Sequence, residues 1–370
     1  MARPFEFQIS FQKLILVLLC TVVPVSLAAL YASSRIGRHA EDAALQNLQT
    51  VAKSIASHTR ESIRSQVIAA AMVASDAAVL EAVQASNRQY GLGQDENRSQ
   101  VKSRDSIWNT PAGRDLVERT LTNPASESLR RKLSVHPYFL RITVTDREGA
   151  TVAASHKTID YDQADEEYWQ DIYASGRGAV SLTDILYDDA SQSYYLGVGV
   201  PVVDEANTLI GTLDALVDVA ALFPLVYETG LGPGGVASIV KSNGTVIASS
   251  RGASFAERSI SPEYQAVIDA KESFRGRASG SLRAAFPSRD YLIAFADTGL
   301  KDEFGQLDWA TVVSEDATAL LGDSSGPQML IMAIALLSLA LVIFVIVYFE
   351  MHRQSEIDEI EEEMHGSLRD

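Results

Sequence analysis

The chain has 370 residues, 46% of them hydrophobic, and carries 31 basic against 48 acidic side chains, a formal net charge of −17. That length holds two or three domains with ample core, and so acidic a balance argues against a partner that must have its phosphates neutralised, so no nucleic acid is expected. The single Cys20 leaves no disulfide framework and no cysteine metal site.

Residues 1–13 form a short lead. Leu14 to Ala32 then runs nineteen residues without a charge, preceded by Arg3 and Lys13, and a helix needs about 20 apolar residues to cross the hydrocarbon core. A cleaved signal peptide shares the apolar run. This one is longer than the usual h-region, and only weak cleavage points such as Ser26-Leu27-Ala28 follow. Residues 14–32 are therefore expected to be a retained first membrane helix.

From Ala40 to about Ala85 there is almost no Gly or Pro and much Ala, Gln, Glu and Arg, which favours one long helix within a stalk over residues 35–90. Leu45, Leu48, Ala52 and Ile55 fall at the spacing of a helix–helix seam. Two readings stay open for it: packing on its own domain, or a stalk pairing with a second copy in a homodimer. Tyr90 to Ser106 is polar and glycine-containing and reads as a loop, and Pro111 to Leu133 as one or two surface helices.

Leu140 to Ser155 alternates apolar and polar residues about a Glu148-Gly149 turn, the pattern of a β-hairpin with one buried face. Ala237 to Ser250 repeats it about Asn243-Gly244, a pair that suits a two-residue turn with positive φ at both positions. The echo continues. Tyr194-Tyr195-Leu196 is answered by Asp290-Tyr291-Leu292, and the run from Leu213 to Val217 by that from Leu307 to Val313, with matching points 94 to 98 residues apart. A period that long exceeds a solenoid repeat, so two copies of a globular module in tandem are expected, over 107–228 and 229–321. Gly230 to Gly235 joins them. It precedes a strand and contains a proline, so it is a turn and not a phosphate loop.

A second uncharged run, Met329 to Phe349, is expected to be the second membrane helix. Residues 350–370 follow, with eight acids against two arginines, and Ile357, Ile360 and Met364 on one helical face. Both termini inside and residues 33–328 outside a plasma or inner membrane is the natural topology, since long loops translocate largely regardless of charge. The fold class expected is α+β: a long N-terminal helix and two tandem antiparallel-sheet modules, bracketed by two transmembrane helices.

This order of pieces resembles a double Cache extracytoplasmic sensor, a PAS-like module. Asp165-Glu166-Glu167-Tyr168-Trp169, Gly176 to Leu186, Val198 to Val202 and Leu209-Ile210-Gly211 are similar to the membrane-distal module of that family, and Leu231 to Ser250 with Trp309 to Val313 to the membrane-proximal one. The resemblance implies antiparallel sheets flanked by helices and a ligand held in the distal module. One subgroup binds amino acids through Y-x-x-x-x-R-x-W-Y followed by a Tyr and an Asp. Tyr161 matches the first Tyr, Glu166 stands at the Arg, Tyr168 and Trp169 exchange the aromatic pair, Tyr187 fits the later Tyr, and the Asp falls on Leu216, between Asp214 and Asp218.

These departures have chemical consequences. An arginine there would grip a carboxylate in a fork, and Glu166 would repel it. An α-amino acid in the usual pose is therefore not expected. Tyr161, Trp169 and Tyr187 with Glu166 or Asp165 nearby would suit a cation such as an amine, or else the aromatics are core packing and Glu166 faces solvent. Arg141 and Arg177 could equally offer an anion-binding group. The candidate ligand-binding set is Tyr161, Glu166, Tyr168, Trp169, Tyr187, Asp218 and Arg141.

No catalytic constellation is present. The six histidines are scattered without ligand spacing, and there is neither a P-loop nor a nucleophile elbow. Neither a cofactor nor a metal is expected, and the chain is not read as an enzyme. The partners expected are a small-molecule ligand, the lipid bilayer and a separate signalling protein, because residues 350–370 are too few for a HAMP linker, signalling rod, kinase or cyclase. A membrane-tethered adaptor that keeps the fold without the pocket, or the input half of a split receptor, is the competing reading.

Overall fold

The computed structural model describes residues 11–91, 93–174, 178–189, 191–232, 234–252, 260–269, 277–287, 289–321, 329–344 and 347–348. The fold is α+β. It opens on one continuous helix, α1 (Phe11–Ala74), that runs through Pro24, so the first apolar stretch and the stalk belong to a single element. The long helix does not reach Ala85 unbroken. It turns by about 60° at Asp76, whose side chain accepts from the Ala78 N–H and caps α2 (Ala77–Asn87). That local hydrogen bond satisfies an orphan donor at a helix start and lets the chain change direction.

The seam on α1 belongs to its own chain: Leu48, Ala52, Ile55, Ile63 and Ala70 are all buried. Polar contacts fix the same stretch, with Arg64 Nε 2.7 Å from a Glu303 carboxylate oxygen and Gln49 donating to Ser279 Oγ at 3.0 Å.

The expected loop from Tyr90 to Ser106 is instead mostly helical, as α3 (Gln94–Trp108), with Asp95 and Glu96 in its first turn. Acids there favour the positive end of the helix dipole. Its inner stripe is sparse, Asn97, Val101 and Trp108 being buried, and too few apolar residues mark that stripe for a period to be read. Two further helices follow, α4 (Arg114–Thr122) and α5 (Pro124–Val135).

The first sheet is built from β1 (Phe139–Asp146), β2 (Thr151–Ala154), β3 (Ser181–Leu182), β4 (Leu186–Asp188), β5 (Ser193–Val203) and β6 (Leu209–Asp218), in the order β2-β1-β6-β5-β3 with β4 also on β5. The second uses β7 (Val236–Lys241), β8 (Val246–Ser249), β9 (Ser279–Ala285), β10 (Asp290–Asp297) and β11 (Trp309–Asp316), in the order β8-β7-β11-β10-β9. Each opens on a hairpin, closes the order with its last strand beside that hairpin, and is antiparallel in its registered pairs. The repeated strand order accounts for the repeated sequence.

Both hairpin loops have three residues and close on a glycine at positive φ, Gly149 (84°) and Gly244 (86°). The Gly149 N–H donates to Asp146 O and the Gly244 N–H to Lys241 O. Asn243 has no positive φ among the described residues, so the two-residue turn expected there is a three-residue loop with a bulge, which requires only its last residue to be left-handed.

Across the first sheet, side chains alternate between two faces. Gly211 faces α2: a Cβ there would come 2.9 Å from Val83 Cγ1. The opposite face carries α6 (Glu167–Ala174), and a Cβ on Gly199 would come 3.1 Å from Tyr168 Cβ and 3.3 Å from Ile172 Cδ1. A glycine at that point lets the helix lie close on the strand.

By compactness the chain divides into Met1–Gln46 with Asp316–Asp370, and Asn47–Glu315. The second unit holds both sheets. In the first, large apolar side chains face outward, among them Leu16, Leu27, Leu336, Leu337 and Phe344. Among the described residues no single helix is long and apolar enough to cross a membrane, and the helix Met329–Phe344 is a shorter apolar one. The bracketing pair of transmembrane helices is not confirmed among the described residues. The face formed by Ile357, Ile360 and Met364 lies outside the described residues.

Candidate functional site

The face of the first sheet beneath α6 gathers the charge. Thr143 on β1 pairs with Asp214 on β6, and Asp214 with Gly199 on β5. Paired residues in an antiparallel sheet project to the same side. Arg141 lies two residues before Thr143 and opposite Leu216, and Tyr195 opens β5 on the same side, four residues before Gly199. Arg141, Asp214 and Tyr195 therefore look toward α6 and the chain that leads into it.

Asp214 is half-buried on this face. Burial, with Glu166 adding to it and Arg141 opposing, pushes it up to about 7 from 3.8. Glu166 is raised by burial, then by Asp160 and Asp165, against the pull of Arg141. Asp160 is raised by burial, Asp165 and Asp105. Carboxylate oxygens of Asp160, Asp165 and Glu166 come within 4.8 Å of one another. Like charges that close disfavour their own ionisation, and the spacing also matches what a hard divalent cation spans.

Arg141 is already engaged: its Nη1 donates to Asp188 Oδ1 at 3.4 Å, and Asp188 is held below the usual carboxylate range by bonds from Ser191 and by this arginine. Tyr168 is buried under α6, its hydroxyl donating to Gln163 Oε1 at 3.2 Å, and Gln163 Nε2 in turn donates to Asp160. Burial, Asp214 and Glu166 raise the Tyr168 hydroxyl well above its ordinary value, and burial with Asp214 raises that of Tyr195.

Of the residues proposed from sequence, Arg141, Glu166 and Tyr168 come together here, joined by Asp160, Asp165, Asp214 and Tyr195. Asp218, paired with Tyr195, shares this face, and the other three stand apart. Tyr161 packs on Trp108, ring centroids 5.3 Å apart, and its hydroxyl meets Arg104. Trp169 stacks on Tyr173 at 4.4 Å. Its indole N–H is buried without a hydrogen-bond partner among the described residues. Tyr187 is exposed and sits edge-on to Tyr194 at 5.0 Å. Asp218 spends its carboxylate on the Ala220 N–H, capping the short helix Val219–Ala221. Arg177 lies outside the described residues.

The reason Tyr161 and Trp169 diverge is local. The segment bearing Tyr161 runs beside β2, held by the Thr151 N–H to Tyr161 O bond, and Trp169 follows Tyr168 by one position on α6, so their side chains project in different directions about the helix.

A family model for the Cache domain matches residues 34–324. The chain belongs to the Cache domain family. As a double Cache sensor domain it also has structural likenesses. The sensory domain of the Campylobacter jejuni chemoreceptor Tlp3 is 14% identical, covering 77% of this chain and 98% of that one with a TM-score of 0.48. The same receptor's ligand-binding domain with L-valine gives 14%, 77%, 97% and 0.47. The ligand-binding domain of the Pseudomonas aeruginosa PAO1 amino acid chemoreceptor PctB with L-Gln gives 13%, 76%, 96% and 0.44. No curated protein matches the chain by sequence.

Proposed function

We propose that this Cache protein is a membrane-anchored extracytoplasmic sensor, not an enzyme, whose first sheet binds a small cationic ligand, an organic amine. It passes the resulting change through the membrane to a separate signalling protein. The observation that carries the reading is the acidic group of half-buried Asp160 and exposed Asp165 and Glu166, their carboxylate oxygens within 4.8 Å of one another, with Asp214 raised by burial and Glu166 while Arg141 is hydrogen-bonded to Asp188. A cation beside these carboxyls removes repulsion that Arg141, engaged with Asp188, offsets only in part, and the Tyr168 and Tyr195 rings are aromatic partners for it.

Membrane anchoring rests on the uncharged runs 14–32 and 329–349 and on the outward apolar side chains of α1 and Met329–Phe344. A surface of that kind needs cover, which lipid supplies. On this reading 107–228 is the membrane-distal module and 229–321 the proximal one.

The spacing of Asp160, Asp165 and Glu166 favours one second reading, a divalent metal as the cation. Melting the full-length protein in detergent against a panel of primary amines, diamines and amino acids, and against calcium chloride, separates the two. A ligand that binds only the native state raises Tm. A rise with an amine, lost in Asp214→Asn, supports the amine reading. A rise with calcium alone moves the function to metal sensing, and a rise only with neutral or acidic ligands overturns both.

A further inference from the structure

The other face of the first sheet holds a cleft of its own. It measures about 450 Å³, between α2, α4 and the edge of β2, within the size range of small-ligand sites. Alanines Ala78, Ala82 and Ala85 on α2 keep one wall open, Leu116 and Arg119 on α4 form the other, and Arg104 and Tyr161 lie at the base.

Arg104 is unusual for so acidic a chain. It is half-buried, and its guanidinium touches only neutral groups, Tyr161 Oη at 3.5 Å and Gln89 Oε1 at 3.4 Å. Arg119 donates only to its own helix, at Asp115 O. Neither forms an ion pair among the described residues, whereas Arg64, Arg98, Arg141 and Arg283 all do. Both line the cleft together with Tyr161, whose hydroxyl is raised by burial against the pull of the two guanidiniums. The buried acid behind them, Asp146, is turned to Ser86, Tyr90 and the N–H groups of Glu148 and Ala150. Burial raises it. Glu81 lines the α2 wall and is exposed.

We propose that this cleft is a second ligand site, for a small organic oxyanion: a carboxylate or phosphate held by Arg104 and Arg119, with Tyr161 as donor. A guanidinium fork matches two oxygens of such a group, and here it is already partly stripped of water. The site is separate from the carboxyl-lined face, because Tyr161 and Arg104 lie on the α2 side and Asp214 on the α6 side of the same sheet.

The test is a melting titration of the full-length protein in detergent with sodium phosphate and with sodium succinate, against sodium chloride at equal ionic strength. The wild type melts higher with at least one of the two anions. Arg104→Gln weakens that binding by about 10- to 100-fold, the loss expected for charge-assisted hydrogen bonds, while Arg283→Gln, in the second sheet, leaves it unchanged. A response to phosphate alone marks a phosphorylated ligand, and one to succinate alone a carboxylate. No rise with either anion, or a rise undiminished in Arg104→Gln, overturns the proposal. Should Arg104→Gln fail to fold, Arg119→Gln at the exposed rim decides: weakened binding upholds the site and unchanged binding overturns it.

Discussion

The two sheets share a strand order and differ most where their faces meet the covering helix. Thr143 pairs with Asp214 in the first, and Ser238 pairs with Val312 at the corresponding position of the second. Val312 is buried in an apolar cluster with Val240, Val267, Ile293 and Phe295, and Tyr264, Leu282 and Ala310 pack against it. One copy of the module has closed this face with a hydrocarbon core. The other has kept carboxyls, a guanidinium and two tyrosines on that face. The fold tolerates both because the strand ladder is indifferent to what its outward side chains carry. Function therefore resides in the side-chain set and not in the architecture.

The sharpest way to break this comparison is to exchange the two positions. Val312→Asp puts an unpaired carboxyl into the apolar cluster and is expected to cost about 3–5 kcal/mol, read as a lower denaturation midpoint in urea. Asp214→Val is expected to leave stability unchanged or raised at alkaline pH. Equal losses from both would mean that the faces are not different in kind.

The next effect is in pH. Asp214 titrates near 3.8 when unfolded and near 7 in the native chain, so the native state holds the proton more tightly. Its contribution to stability falls as pH rises between those two values, by up to roughly 1.4 kcal/mol per unit, and no further above them. Asp160 and Glu166, raised likewise, push in the same direction. Melting temperature against pH should therefore slope downward toward neutrality, and Asp214→Asn should flatten part of that slope. A wild-type curve that rises across this window contradicts the assignment.

A smaller effect separates the exposed aromatic from the buried one. Tyr168→Ala empties space beneath α6 and should cost about 3 kcal/mol. Tyr187→Ala, on an exposed side chain that meets Tyr194 and Gln192, should change stability by no more than about 0.5 kcal/mol and leave ligand binding intact. Loss of binding in Tyr187→Ala would move the site toward the edge of the sheet.

Much of this was legible in the sequence, for identifiable reasons. Period-two alternation and a glycine at each turn marked both hairpins, and the spacing of Tyr195 to Tyr291 marked the duplication. Helix α3 was hidden because its inner stripe holds only a few residues, one of them the polar Asn97. Tyr161, Trp169, Tyr187 and Asp218 were proposed from a linear pattern that says nothing about which side of an edge segment, or which side of α6, each faces. Asp214 lay in view as a neighbour of Leu216, but only the Thr143 register places it beneath the helix. Arg104 gave no signal at all, since its isolation from carboxylates is a fact of packing.

The most direct test of the central claim is the amine-induced rise in melting temperature of the full-length protein, measured below and above neutral pH in the wild type and in Asp214→Asn. An ionised Asp214 is the better partner for a cation, so the account predicts a shift that grows as pH passes through about 7, even though the unliganded protein melts lower there, and that is lost in the variant. A shift that is independent of pH and survives Asp214→Asn would contradict it.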